Sequence, residues 1–159
     1  MLFDLSSVVL VLFVIFHGIA FGAGLYEQRV VVPRWMGSSP SGERYLYPEA
    51  MRVDDTGRRF WGFVSTGPLS LLTLINLYFA VTSTAPVRTF WLAACAVTLV
   101  ERLFTFAFFI PKAIGLMRDD ALSTPTALHT AARWRSLNWV RLLLSLAGWL
   151  LALLAYGAR

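Results

Sequence analysis

Residues 5–28 read LSSVVLVLFVIFHGIAFGAGLYEQ, an almost uninterrupted apolar run. At a rise of about 1.5 Å per residue, a helix of this length crosses the roughly 30 Å hydrocarbon core of a bilayer. Asp4 precedes the run, where a cleaved signal peptide would carry basic residues instead. The sequence therefore predicts a retained membrane-spanning helix at this end of the chain.

Three further apolar runs of similar length cover residues 62–82, 89–111 and 138–157. Pro68 falls in the first turns of the second run, and Pro111 is expected to end the third. The short link between the second and third runs predicts antiparallel neighbours. The predicted fold is all-α, an integral membrane four-helix bundle, with residues 1–159 in a single domain.

The composition supports a membrane protein and argues against a soluble domain, a disulfide-stabilised fold and a nucleic-acid-binding protein. Apolar residues make up 57% of the chain and charged residues 14%, far from the balance of a soluble domain. The single cysteine, Cys95, rules out a disulfide framework. The net charge of +5 comes from arginines that flank the apolar runs, so we expect anionic lipid headgroups rather than nucleic acid as their partner.

Two long loops, residues 29–60 and 112–137, should lie on one face of the membrane. The second is predicted to carry an interfacial helix over residues 125–137, with Ser123 or Thr124 as its N-cap. Most arginines fall on this face, so the positive-inside rule predicts cytoplasmic loops, external termini and a plasma-membrane location.

Two ionisable residues interrupt the third run. Glu101 and Arg102 lie near its middle, where each charge costs roughly 2.5–3.5 kcal/mol before a partner is found. Adjacent residues point about 100° apart on a helix, so each is predicted to find its own partner on another helix. These partners could form a catalytic site or a network that only ties the bundle together.

His17 is expected at a depth similar to that of Glu101, because the first and third helices of a four-pass bundle run parallel. A neutral imidazole beside a carboxylate could form a proton-transfer pair or half of a metal site. The alternative is a histidine that is simply packed and hydrogen-bonded.

A second polar group is predicted where the helices meet the long loops. It offers a carboxylate, hydrogen-bond donors and aromatic rings, as a polar aromatic ligand requires. An interfacial belt with snorkelling arginines is the alternative. The residues of this group are Tyr26, Glu27, Arg29, Trp61, Ser65, Asn138 and Arg141, with His129, Arg133 and Trp134 placed to fold over them.

Three segments resemble a known family. The sequences GAGLYEQRVVVPRW (residues 22–35), FFIPKAIGL (residues 108–116) and RWRSLNWVR (residues 133–141) resemble the small four-pass membrane family that includes the anthrone oxygenases. The resemblance implies oxidation of an anthrone-like polycyclic phenol by O2 to its quinone, usually without a recognised cofactor.

The resemblance also suggests roles for the polar residues. Glu27 or Glu101 would act as the base, assisted by His17 or His129, while Arg141 and Asn138 hold the developing phenolate. The proposed ring contacts are Tyr26, Trp35, Trp61 and Trp134, with Arg102 as a further substrate-binding residue.

Other functions stay open at this point. A copper or iron oxidoreductase could use His17, Glu101 and His129 as ligands. A non-enzymatic membrane subunit or carrier could bind an apolar ligand or a partner helix, and the chain could form a homo-oligomer. A proton-coupled transporter fits less well, because four short helices lack the paired broken segments of such folds.

Overall fold

The computed structural model describes residues 4–38, 40–118 and 124–159. Four helices in these ranges are long and apolar enough to cross a membrane. The predicted all-α membrane bundle is therefore confirmed. The four spans are Leu5–Trp35, Gly57–Thr82, Val87–Leu116 and Pro125–Gly157.

Each of the first three spans is built from more than one kind of helix. In the first span, α1 (Leu5–Tyr26) continues into the π-helical segment π1 (Glu27–Val31) and a 3₁₀ turn (Val32–Trp35). The second consists of π2 (Gly57–Leu69) and α3 (Ser70–Thr82). The third consists of α4 (Val87–Phe104), π3 (Thr105–Phe109) and α5 (Ile110–Leu116).

Both prolines lie further inside their spans than predicted. The second span begins at Gly57 rather than residue 62, so Pro68 lies at the end of π2, not in the first turns. The prediction that Pro111 ends the third span is wrong. Pro111 lies in the first turn of α5, directly after π3. Proline is tolerated there because the backbone N–H groups of a first helical turn have no partner within that helix.

The fourth span differs most from its predicted bounds. Residues 125–137 do not form a separate interfacial helix, because α6 (Pro125–Gly157) is continuous over 33 residues. No glycine or proline interrupts residues 126–147, so nothing breaks the helix where a boundary was expected. The Thr124 side chain accepts a hydrogen bond from Ala127 N and is the N-cap; Ser123 lies outside the described residues.

The four spans form a closed square. α1 packs against α3 and α6, and α4 packs against the same two helices. Large apolar side chains remain exposed on the outer faces, as expected where lipid replaces water. The span ends Trp35, Gly57, Leu116 and Pro125, which the two longer connections join, lie at the same end of the bundle.

Aromatic packing closes the loop-side end. Trp35 and Trp134 are buried against each other with ring centroids 5.4 Å apart, and Phe109 packs on Trp134 at 5.3 Å. A two-stranded antiparallel hairpin, β1 (Met36–Ser38) and β2 (Arg44–Leu46), and the short helix α2 (Pro48–Asp54) follow the first span. Leu46 and Met51 from these elements join the same buried cluster.

Candidate functional site

A cavity lies inside the bundle, with all four spans contributing to its wall. Its empty volume is about 250 Å³ including the opening, and the enclosed part has room for about one water molecule. Its lining is mostly polar although it lies between membrane-spanning helices. The lining residues are Ala20, Trp61, Ser65, Glu101, Arg102, Arg141, Leu142 and Ser145.

Glu101 and Arg102 form an ion pair with each other in the cavity wall. Arg102 Nε donates to Glu101 Oε2 at 2.6 Å, and Arg102 Nη2 contacts the same oxygen. The Thr105 hydroxyl donates to Glu101 Oε1 at 3.1 Å, and Arg102 Nη1 donates to Ser65 Oγ at 2.8 Å. The prediction of a partner on another helix holds for Arg102, which reaches Ser65 on the second span. It is wrong for Glu101, whose partners Arg102 and Thr105 lie on its own span, because the long arginine side chain folds back to it.

Glu27 and Arg141 form a second, looser charged contact beside the cavity. Glu27 Oε1 accepts hydrogen bonds from Thr56 Oγ1 at 2.6 Å and from Trp61 Nε1 at 2.8 Å. Glu27 Oε2 lies 3.7 Å from Arg141 Nη2. The two carboxylates and two guanidinium groups balance in charge, which limits the cost of placing them in the membrane.

The three π-helical segments meet at this charged cluster. Glu27 opens π1, Trp61 and Ser65 belong to π2, and Thr105 and Phe109 belong to π3. A π-helical segment is rare, usually one turn long, and often found at functional sites. Because three of the spans place one at the same cluster, we interpret the irregular backbone as part of the site.

His17 lies one helical turn deeper than the cavity wall. Its Nε2 atom is 3.0 Å from Thr98 Oγ1, and the Thr98 hydroxyl donates to the carbonyl of Ala94 at 2.7 Å. Because the Thr98 hydroxyl proton is already donated to Ala94, the His17–Thr98 hydrogen bond requires the histidine tautomer that is protonated on Nε2, with His17 as the donor. The predicted His17–Glu101 pair is not formed, since Thr98, one turn before Glu101, takes the hydrogen bond.

The predicted metal ligands do not converge. His129 is exposed near the start of α6, while His17 and Glu101 are buried within the bundle. No cluster of three histidine, cysteine or carboxylate side chains suited to a metal ion occurs within residues 4–38, 40–118 and 124–159. The predicted set of His17, Glu101 and His129 is therefore not assembled.

Several other predicted site residues lie near the cavity without lining it. Asn138 is buried and donates through Nδ2 to Gln28 Oε1 at 2.8 Å. Trp134 donates through Nε1 to the carbonyl of Phe109 at 3.1 Å, and Trp35 packs beside it. Tyr26 is 60% exposed and faces away from the bundle. Of the predicted ring contacts, Trp61 is thus the one that lines the cavity.

The sequence analysis missed the small hydroxyl residues that complete the site. Thr105 lies four residues after Glu101, and Ser145 lies four residues after Arg141. This spacing places each hydroxyl on the same helix face as the charged residue. A search for hydroxyls at helical spacing from the intramembrane charges would have found both.

Comparisons with models of protein families, with curated proteins and with solved structures find no match to this chain.

Proposed function

We propose that this protein is a membrane-embedded oxidoreductase that oxidises an anthrone-like polycyclic phenol with O2. The observation that supports the proposal is the cavity in which the carboxylate of Glu101 and the guanidinium groups of Arg102 and Arg141 meet inside the bundle. A base, an oxyanion holder and exclusion of bulk water are what such a reaction needs.

The reaction balances without another reductant. The activated ring CH2 of the substrate loses both hydrogens, and its carbon gains one oxygen atom as a new carbonyl. The second oxygen atom of O2 leaves as water. Removing the first proton gives an electron-rich enolate, which then donates electrons to O2.

Glu101 is the proposed base. Its Oε2 atom is held by Arg102, whereas Oε1 accepts one hydrogen bond, from Thr105, and can accept a proton. Arg141 is proposed to stabilise the enolate oxygen, and the Trp61 ring to contact the aromatic substrate. Because the enclosed part of the cavity holds about one water molecule, the side chains that line it must move apart to admit the substrate rings. Glu27 has the supporting role of holding Trp61 and Arg141 in place.

Purified protein in lipid nanodiscs, supplied with an anthrone and O2, tests the proposal. We expect oxygen uptake and quinone absorbance to rise with one O2 consumed per quinone formed. Glu101→Gln should lower the rate at least about 100-fold, the typical contribution of a general base. Glu49→Gln, a change at an exposed carboxylate of α2, is the matched control and should keep the rate. Oxidation no faster than in empty nanodiscs would contradict the proposal.

A non-enzymatic carrier or membrane subunit is the second candidate. One observation favours it, namely that Glu101 and Arg102 neutralise each other, as charges serving only assembly would. A carrier would retain a bound aromatic molecule unchanged in air, so product analysis after incubation distinguishes it from the oxidoreductase.

We further propose a plasma-membrane location with both long connections in the cytoplasm. The proposal is supported by the concentration of arginines in these connections. A homo-oligomer stays a prediction. A copper or iron cofactor would need ligands other than the set His17, Glu101 and His129, and elemental analysis of active protein tests for one.

A further inference from the structure

Arg141 differs from Arg102 in how its hydrogen-bond donors are used. Arg102 directs Nε and Nη2 to Glu101 and Nη1 to Ser65. The Arg141 side chain is only 11% exposed, yet its nearest carboxylate oxygen is Glu27 Oε2 at 3.7 Å, beyond hydrogen-bond distance. Among the described residues, no side chain or carbonyl accepts a hydrogen bond from it.

Two aromatic rings lie close to this guanidinium group. The Arg141 Cζ atom lies 4.8 Å from the centroid of Phe109 and 5.5 Å from that of Trp61. Arg141 lines the cavity, so the N–H donors that no described residue accepts are available to an acceptor inside it. Paired edge donors match the two oxygens of a carboxylate.

The four charges around the cavity sum to zero, but Arg141 is less closely paired than Arg102. The charge of Glu101 is already compensated by the adjacent Arg102. Glu27 offers only partial compensation to Arg141, because its Oε1 atom is committed to Thr56 and Trp61 and its Oε2 atom is distant. A buried guanidinium whose donors lack acceptors is costly, and a ligand oxyanion would remove that cost.

The surroundings indicate an aromatic, membrane-dissolved ligand. Trp61, Ala20 and Leu142 supply the apolar part of the wall. π2 packs mainly on α1, whereas the second and third spans pack closely only along α3 and α4. Besides the hydrogen bond from Arg102 Nη1 to Ser65 Oγ, few contacts join the two spans at the level of π2, and a ring could extend there from the cavity towards lipid.

We infer that Arg141 selects ligands carrying an anionic oxygen, a carboxylate or phenolate on an aromatic ring dissolved in the membrane. The inference rests on the proposed function and names the substrate class of its site. It adds that the ligand is recognised by charge before any chemistry occurs.

Binding of a matched pair of probes to the full-length protein tests this inference separately from turnover. Anthracene-2-carboxylate and the neutral anthracene-2-carboxamide are titrated into nanodiscs of zwitterionic lipid, and energy transfer from tryptophan to anthracene is measured. We expect the carboxylate to bind at least about tenfold more tightly than the carboxamide. Arg141→Gln should abolish the preference, whereas Arg34→Gln, at an exposed arginine, should keep it.

Equal affinity for the two probes in the wild-type protein would overturn the inference, and this comparison requires no variant. So would a preference that persists in folded Arg141→Gln. Repeating the titration with phosphatidylglycerol added separates two sources of the anion. Unchanged carboxylate affinity supports the aromatic ligand, and displacement by the lipid overturns it in favour of a headgroup. Tight carboxylate binding without anthrone oxidation would refute only the proposed reaction.

Discussion

Buried charged residues dominate the candidate site of this molecule. Glu101 and Arg102 were visible in the sequence as an unusual intramembrane pair, but their mutual contact was not. Helical geometry separates adjacent side chains by about 100° at the backbone. The long, flexible arginine side chain can still turn back to the carboxylate of its neighbour. Sequence alone could therefore locate the pair but not assign its partners.

The loop-side polar group was predicted more successfully. Glu27, Trp61 and Arg141 come together as expected: Glu27 and Trp61 lie in the loop-side parts of their spans, and Arg141 lies at the same level, midway along α6. His17 was predicted at nearly the correct depth, yet Thr98 lies closer than Glu101 and accepts its hydrogen bond. An error of one helical turn in the predicted depth is enough to change the hydrogen-bond partner. Helix boundaries predicted from sequence carry errors of about that size.

Trp61→Phe should destabilise the protein by about 2 kcal/mol. The change keeps an aromatic ring beside Arg141 but removes the Nε1–H donor to the buried Glu27 carboxylate, and hydrogen bonds to charged groups contribute about 1.5–3 kcal/mol. Unfolding by SDS in mixed micelles measures the free energy. Trp139→Phe, at a ring that is 39% exposed, is the control and should change it by less than about 0.5 kcal/mol. Equal effects of the two changes would contradict the assigned role of Trp61.

At the scale of helices, apolar runs located every span, but they did not give its bounds. Hydropathy marks the part of a helix that suits lipid, so α6 was predicted from residue 138 although it begins at Pro125. At about 1.5 Å per residue its 33 residues extend roughly 50 Å, longer than the hydrocarbon core. The π-helical segments have no comparable sequence signal, and they allowed Pro68 and Pro111 to lie inside continuous spans.

Gly148→Ala should destabilise packing of α6 against α1 and α4 by about 1–3 kcal/mol. A Cβ at this position would lie 3.0 Å from His17 Cε1 and 3.1 Å from Thr98 Oγ1, so the ring or the helix must shift. Gly22→Ala is the matched control within α1, because a Cβ there meets no atom within 4 Å. The same unfolding titration should show no loss for Gly22→Ala; a smaller loss for Gly148→Ala than for Gly22→Ala would disprove the packing described.

At the scale of the whole molecule, the bundle is asymmetric. One end has the tight turn between α3 and α4, and the other has both longer connections, the hairpin and the aromatic cluster. All three π-helical segments lie in the half nearer these connections. The cavity is therefore covered by protein at one end and surrounded by lipid-facing helices at its sides.

The arginine distribution predicts the orientation of this asymmetric bundle. Thr84→Cys lies in the tight turn and Glu49→Cys in the opposite connection, and both positions are exposed. A membrane-impermeant maleimide added to intact cells should label the first and not the second. Cys95 is buried and should give little background. Labelling of Glu49→Cys alone would show the opposite orientation.

The central claim is that the intramembrane charges serve a reaction rather than assembly alone. Replacing both members of the pair, Glu101→Gln with Arg102→Gln, leaves no uncompensated charge, and buried ion pairs are often replaced by neutral groups without loss of stability. Oxygen uptake with an anthrone, measured beside thermal unfolding, tests the claim most directly. We predict a folded double variant whose oxidation rate falls at least about 100-fold. A folded double variant that oxidises the substrate at the wild-type rate would contradict the account.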